Sequence, residues 1–176
     1  MVLKDTELRL ISELMKNSRR SDRELGRVLG ISQPTVSRMI KKLEKEGVIQ
    51  EYTMIPDFAK LGFQLMGLTF LKLKKPLNKE ETEKVIENGK KAAKSEPFAA
   101  LMRESGLGFG YDGVMATFYK DYTEYCEHMD YTRRFGFLEA RDMESFLISL
   151  GNKVRFRPLT LSTIANYLLA MREKKE

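Results

Sequence analysis

Residues 21–47 read SDRELGRVLGISQPTVSRMIKKLEKEG. Ser21-Asp22-Arg23-Glu24 places a serine at a helix N-cap with a glutamate three residues on, which is a capping box. Leu25, Val28 and Leu29 then form an apolar stripe, and Gly30 supplies the left-handed residue that stops the helix. A second start follows at once. Ser32 caps it, and Pro34 falls in the first turn, where a missing N–H costs nothing. Ile31 and Val36 stand at the two positions of a hydrophobic staple. This helix is expected to run to about Glu46. Gly47 then ends it in a left-handed conformation, with Val48 against Leu43. Two short helices joined by a tight turn make a helix-turn-helix. Upstream, Asp5 is expected to cap a first helix reaching Lys16, with Leu8, Ile11, Leu14 and Met15 on one face.

Turning the third helix at about 100° per residue puts Val36, Ile40 and Leu43 inward and Met39 at the edge. Pro34, Arg38, Lys41, Lys42 and Lys45 point outward. A helix that is apolar on one side and cationic on the other suits the major groove. Short polar side chains at its N-terminal end (Ser32, Gln33, Thr35, Ser37) reach base edges, and the cations meet phosphates. Gln33 suits adenine; Arg38 suits guanine or a phosphate. Ser21, opening the preceding helix, completes the set of DNA-facing candidates. An ordinary solvated helix also shows lysines, so the distribution of charge matters. The chain has 31 Lys+Arg against 25 Asp+Glu, a net +6. Residues 16–45 alone hold nine basic and three acidic side chains, so the remainder sums to zero. After Gly47, the β-branched run from Val48 to Ile55, closed by Pro56, reads as a wing or exit strand.

The run from Leu8 to Leu61 resembles the N-terminal domain of the Lrp/AsnC (feast/famine) regulators. The matching text is Asn17, Arg19, Ser21 and Glu24-Leu25-Gly26, then Gly30-Ile31-Ser32 and Thr35-Val36-Ser37-Arg38. It continues through Ile40-Lys41-Lys42-Leu43-Glu44 and Glu46-Gly47-Val48-Ile49, and closes with Lys60-Leu61-Gly62. This covers about a third of the chain. Where the family usually carries a second arginine, this sequence has Met39. The resemblance implies a double-stranded DNA partner, a homodimer or higher homo-oligomer, and a second, ferredoxin-like domain that often binds amino acids.

The rest of the sequence reads compatibly. Pro56 to about Phe63 is a linker. Gln64–Leu73 is strand-like, and Asn78-Lys79-Glu80-Glu81 opens a helix to about Lys94 anchored by Val85 and Ile86. Pro97 breaks that helix. Strands follow at Phe98–Met102 and Val114–Tyr119, around a glycine-rich loop at Gly106–Gly110. Asp121 and Glu124 then cap a helix with Tyr122, Tyr125, Cys126 and Met129 on its buried stripe. A strand at Phe146–Leu150 and a terminal helix at Ser162–Met171 complete the chain. The order β-α-β-β-α-β is the split ferredoxin-like plan. The expected architecture is α+β. A winged helix-turn-helix spans 1–55, a linker 56–63, a dimerisation and ligand-sensing domain 64–150, and a helical extension 151–176 that could pack on a partner subunit. By the resemblance, a Gly-x-x-Asp signature begins the third strand. Here it is present only with a shift, which makes Gly108, Gly110 and Asp112 the effector-binding candidates.

Other signals exclude more than they suggest. One Cys (Cys126) and one His (His128) rule out a single-chain zinc site and a disulfide framework. The two are about 200° apart on a helix and cannot grip one metal. Cys126 is expected in the core, His128 in solvent or at an interface. Gly108-Phe109-Gly110-Tyr111-Asp112-Gly113 matches a dinucleotide pattern, but a strand follows where the mechanism needs a helix N-terminus. A tight hairpin loop is the better reading. Met54, Met66, Met102 and Met115 are expected to pack in strands. Arg155, Arg157 and the tail from Arg172 to Lys175 read as solvated cations or added phosphate contacts. No segment has the roughly 20 apolar residues of a membrane span, and no signal peptide is evident. A cytoplasmic, non-catalytic protein without cofactor or metal is expected. Two alternatives share the plan: a tetrapyrrole (sirohaem-type) decarboxylase, for which no pocket cluster is evident, and a winged-helix protein–protein adaptor.

Overall fold

The computed structural model describes residues 3–95, 97–134, 138–152 and 159–173. Its elements are α1 (Asp5–Lys16), α2 (Asp22–Leu29), α3 (Gln33–Lys45), β1 (Leu65–Leu73), α4 (Lys79–Ser95), β2 (Ala99–Gly108), β3 (Tyr111–Tyr119), α5 (Tyr122–Arg133), β4 (Leu138–Ser149) and α6 (Ser162–Glu173). They fall into two units. Met1–Pro56 joins Phe156–Glu176 in one, and Asp57–Arg155 forms the other.

In the first unit, Leu10, Leu14, Leu25, Leu29, Val36 and Leu43 make one core, edged by Leu3, Ile11, Ile31, Met39, Ile40, Val48 and Ile49. Fully burying each such aliphatic side chain contributes about 1.5–3 kcal/mol. The capping box at Ser21 and the Ser32 cap form as expected. So does the Gly47 ending, where Val48 N–H donates to the Leu43 carbonyl at 2.9 Å.

Four expectations change here. Lys4, not Asp5, holds the N-cap of α1, because Glu7 accepts the Lys4 backbone N–H at 2.7 Å. The helix has two buried faces rather than one. Leu10 and Leu14 enter the core, while Ser12, on the other side, lies under α6 and donates to the Ala165 carbonyl at 2.9 Å. Val28 is 49% exposed, because α2 turns Gly26 toward the next turn and carries Val28 away from the core. Residues 50–56 form no strand. Among the described residues this unit holds no strand for them to pair with. Tyr52 instead donates its hydroxyl to Glu44 at 2.9 Å, while Val48 and Ile49 close the core.

The second unit is a four-stranded sheet in the order β2-β3-β1-β4, with every neighbouring pair antiparallel. With α4 and α5 between strands, this is the expected ferredoxin-like plan. The β2–β3 hairpin is longer than the sequence suggests. Gly106–Gly108 are strand, Gly108 pairs with Tyr111, and only Phe109-Gly110 turn the chain. Their φ values, 53° and 82°, match a two-residue type I′ turn. Strand β4 likewise begins well before Phe146.

The stripe of α5 is rotated from its expected place. Tyr122 is exposed, Tyr125 and Cys126 are half-buried, and His128, Met129 and Thr132 are buried. His128 Nδ1 lies 2.9 Å from the Tyr119 hydroxyl, and Nε2 lies 3.3 Å from the Arg103 guanidinium. Phe98 stacks on the ring at 4.3 Å. Partners on both ring nitrogens let the imidazole sit inside. On α4, Asn78 and Glu81 cap reciprocally at 2.9 Å, but Ile86 is exposed and Val85 only half-buried. Met115 is buried and Met66 half-buried, whereas Met54 and Met102 are exposed.

Alternation along the strands sorts the two sheet faces. Thr69 and Ser145 bond each other at 2.8 Å beneath Met129 of α5. Leu68, Phe70, Ala116 and Phe146 therefore share the opposite face. There Phe58 stacks on Phe118 at 3.9 Å, and Phe146 is 65% exposed.

Candidate nucleic-acid interface

The turn between α2 and α3 rests on Gly26. A Cβ at this position would stand 2.7 Å from the Ile31 carbonyl oxygen, so only glycine lets the helices approach this closely. Ile31 N–H donates back to Gly26 at 3.0 Å and locks the turn.

That lock presents the N-terminus of α3. Ser32 Oγ accepts the Thr35 N–H at 3.4 Å and lies 2.8 Å from Thr35 Oγ1. Arg38 Nη2 donates to Thr35 Oγ1 at 3.5 Å, which lays the guanidinium along the helix. Ser32, Gln33, Arg38, Lys41, Lys42 and Lys45 are exposed; Thr35, Ser37 and Met39 are half-buried. The outward set expected from the sequence is thus brought together on one face. Ser21 stands apart in role, its hydroxyl held by Glu24 at 2.7 Å within the α2 cap.

The cations on this face differ. Arg38 and Lys41 have no carboxylate partner among the described residues, whereas Lys42 Nζ lies 2.6 Å from Glu7 and 3.8 Å from Glu46. The Lys42 hydrogen bond, helped by the Lys4 N–H, holds the Glu7 carboxyl below its ordinary range, and Glu7 raises Lys42 in turn. Lys4, Glu7, Thr35, Arg38, Met39 and Lys42 line a cleft of about 290 Å³. Sequence reading missed Glu7. Its one signal was an acid at the 7, 10, 14 spacing of a buried helical face.

In the other unit, the hairpin gathers Gly108, Gly110 and Asp112 at one end of β2 and β3. Asp112 Oδ2 accepts the Leu73 N–H at 2.9 Å and so ties the end of β1 to β3. The strand after the G-x-G-x-x-G match leaves no helix N-terminus for a pyrophosphate. Arg155, Arg157, Lys174 and Lys175 lie outside the described residues, as does the Arg172 side chain. Among the described residues no helix is long and apolar enough to cross a membrane.

A glycine-locked helix pair on a small helical core, with a capped and cationic second helix, defines a helix-turn-helix unit. The family model for winged helix-turn-helix DNA-binding domains matches residues 3–50. The transcriptional regulator LrpC of Bacillus subtilis is 45% identical over 62 residues, 35% of this chain and 43% of that protein. The chain spans about half the length of the relatives it matches in sequence. Solved structures extend the likeness to the whole fold. PH0061 of Pyrococcus horikoshii superposes with a TM-score of 0.70 at 27% identity, covering 90% of this chain and 99% of that one. The transcriptional regulator NMB0573 of Neisseria meningitidis, in its L-Met complex, gives 0.72 at 18% identity, covering 95% and 99%. The chain is thus similar to regulators of the Lrp/AsnC type, in sequence over its first third to half and in fold over about nine-tenths of its length.

Proposed function

We propose that this protein is a sequence-specific, DNA-binding transcriptional regulator that works as a dimer. The observation that carries this reading is the outward face of α3. Short polar side chains stand at its capped N-terminus, with Arg38 and Lys41 behind them unpaired by carboxylates among the described residues. In this reading α3 enters the major groove. Ser32, Gln33, Thr35 and Ser37 approach base edges, Arg38 and Lys41 anchor on phosphate, and Ser21 stands at the edge of the contact. A second copy engages a second half-site, since one small head supplies few contacts.

Residues 1–55 act as the DNA-binding head, 56–63 as linker and 64–150 as the dimerising and sensing domain. The apolar sheet face around Phe146 is the surface we assign to the second copy. The L-Met complex of NMB0573 supports an amino-acid effector, and the hairpin residues Gly108, Gly110 and Asp112 are where we place it. The mode of action is binding without catalysis, in the cytoplasm.

The test is binding of the full chain to its own upstream DNA against a scrambled duplex over a salt series. Arg38→Ala/Lys41→Ala is titrated beside it. We expect preference for the upstream DNA, a steep salt dependence, and a slope lower by roughly one to two units in the variant. Equal binding by both proteins, or none by either, would remove α3 as the reading helix and favour an adaptor.

A further inference from the structure

Glu7 is 4% exposed, yet its carboxylate reaches the outward face of α3. One oxygen accepts the Lys4 N–H at 2.7 Å and the other accepts Lys42 Nζ at 2.6 Å. Arg38 lines the same cleft without a carboxylate partner among the described residues, and Met39 adds no charge there. We propose that Glu7 is a positioning residue that holds Lys42 out of the phosphate contacts and so keeps non-specific DNA affinity low. This rests on reading α3 as the DNA-facing helix.

The reasoning is a comparison of two sites for one ammonium group. If Lys42 left for a phosphate, a buried carboxylate would keep only a backbone N–H as donor, and breaking a buried ion pair is strongly unfavourable. The phosphate contact it would gain is solvated and brings mainly the release of one counterion. Lys42 therefore stays with Glu7. Non-specific binding is built almost entirely from phosphate contacts, so taking one cation out of their number weakens it. Base-edge contacts at the start of α3 are untouched, and the ratio of specific to non-specific affinity rises.

A double-mutant cycle in the full chain tests this: Glu7→Gln, Lys42→Gln and the pair, titrated against a scrambled duplex from 50 to 200 mM salt. Each phosphate contact adds roughly 0.9 to the salt slope, about a 3.5-fold change in affinity over that range. Lys42→Gln, which keeps an N–H donor for Glu7, is expected to superpose on wild type. Glu7→Gln is expected to steepen the slope by about one contact and to bind more tightly at 50 mM. The double variant is expected to return to the wild-type slope. A slope lowered by about one unit in Lys42→Gln alone overturns the proposal, and this holds even if Glu7→Gln does not fold. A folded Glu7→Gln protein with an unchanged slope overturns it too. A merely structural Glu7 would lower the melting temperature and weaken every duplex alike, with no change of slope that depends on Lys42. Arg38→Ala separates the two levels. If Arg38→Ala leaves the slope unchanged, or wild type binds no duplex, the DNA reading itself fails and this role falls with it.

Discussion

Ser12 and Ala165 meet 153 positions apart, the hydroxyl of one donating to the backbone carbonyl of the other at 2.9 Å with both residues fully buried. This contact makes α6 part of the helical head. The face of α1 that carries Ser12 is covered by the same chain. Ser12→Ala is expected to cost about 1 kcal/mol, the net value of one buried hydrogen bond. Ala165→Leu is expected to cost about 1–3 kcal/mol, because the three added carbons must be forced into the packing around a fully buried alanine. Urea unfolding of the full chain reads both. If Ala165→Leu melts like wild type, α6 is not seated on α1 in solution.

Gly26 offers a sharper test of the turn. In an exposed helix, Gly→Ala stabilises by about 1 kcal/mol. Here the new methyl would stand 2.7 Å from the Ile31 carbonyl, an atom of rigid backbone. The sign should therefore reverse. Gly26→Ala is expected to lower stability by about 1–3 kcal/mol and to weaken DNA binding, as α3 shifts against α2. Thermal melting with duplex titration checks it. A gain in stability would mean that the turn opens easily.

What the sequence disclosed follows the range of the forces. The caps at Ser21/Glu24, Ser32, Asn78/Glu81 and Asp121/Glu124 were legible because each is a bond between residues three apart. The cationic face of α3 was legible because helical period alone sorts it. His128 was not legible, since its partners Tyr119 and Arg103 lie on other elements, nine and 25 positions away. Nor was the second face of α1, whose cover arrives with Ala165. Gly106–Gly108 looked like loop because glycines lack strand propensity, yet pairing with β3 overrides that preference. By helical period alone Lys42 is one more phosphate anchor, since its partner Glu7 stands 35 positions before it.

Phe109 carries a local strain that a substitution can relieve. It is 92% exposed with φ 53°, a left-handed conformation that costs a bulky side chain roughly 1–2 kcal/mol. Its ring makes an edge contact with Phe70 at 6.3 Å. Phe109→Asn would make the Asn-Gly pair favoured in type I′ turns. A gain of about 1 kcal/mol is expected in thermal or urea unfolding. A loss instead would assign Phe109 more packing than its exposure allows.

Acid titration of stability isolates the Glu7–Lys42 pair. Glu7 lies below its ordinary 4.5 chiefly through the Lys42 hydrogen bond, then through the Lys4 N–H. Because its folded value is lower than its unfolded one, its contribution is fully present above the unfolded value. It is lost as the pH falls through the folded value. Glu13 shifts the same way, through Lys16 first and then Arg20, so wild type should lose stability progressively below about pH 5. Glu7→Gln cannot titrate there. Its stability should be lower than wild type at neutral pH, and the two curves should converge as the pH falls through the lowered folded value of Glu7. The residual slope of the variant belongs to Glu13 and the other shifted carboxylates. Urea midpoints measured across that range decide the matter. Parallel curves for the two proteins would show that Glu7 takes up its proton equally in the folded and unfolded chain, and the ion pair would then hold nothing in place.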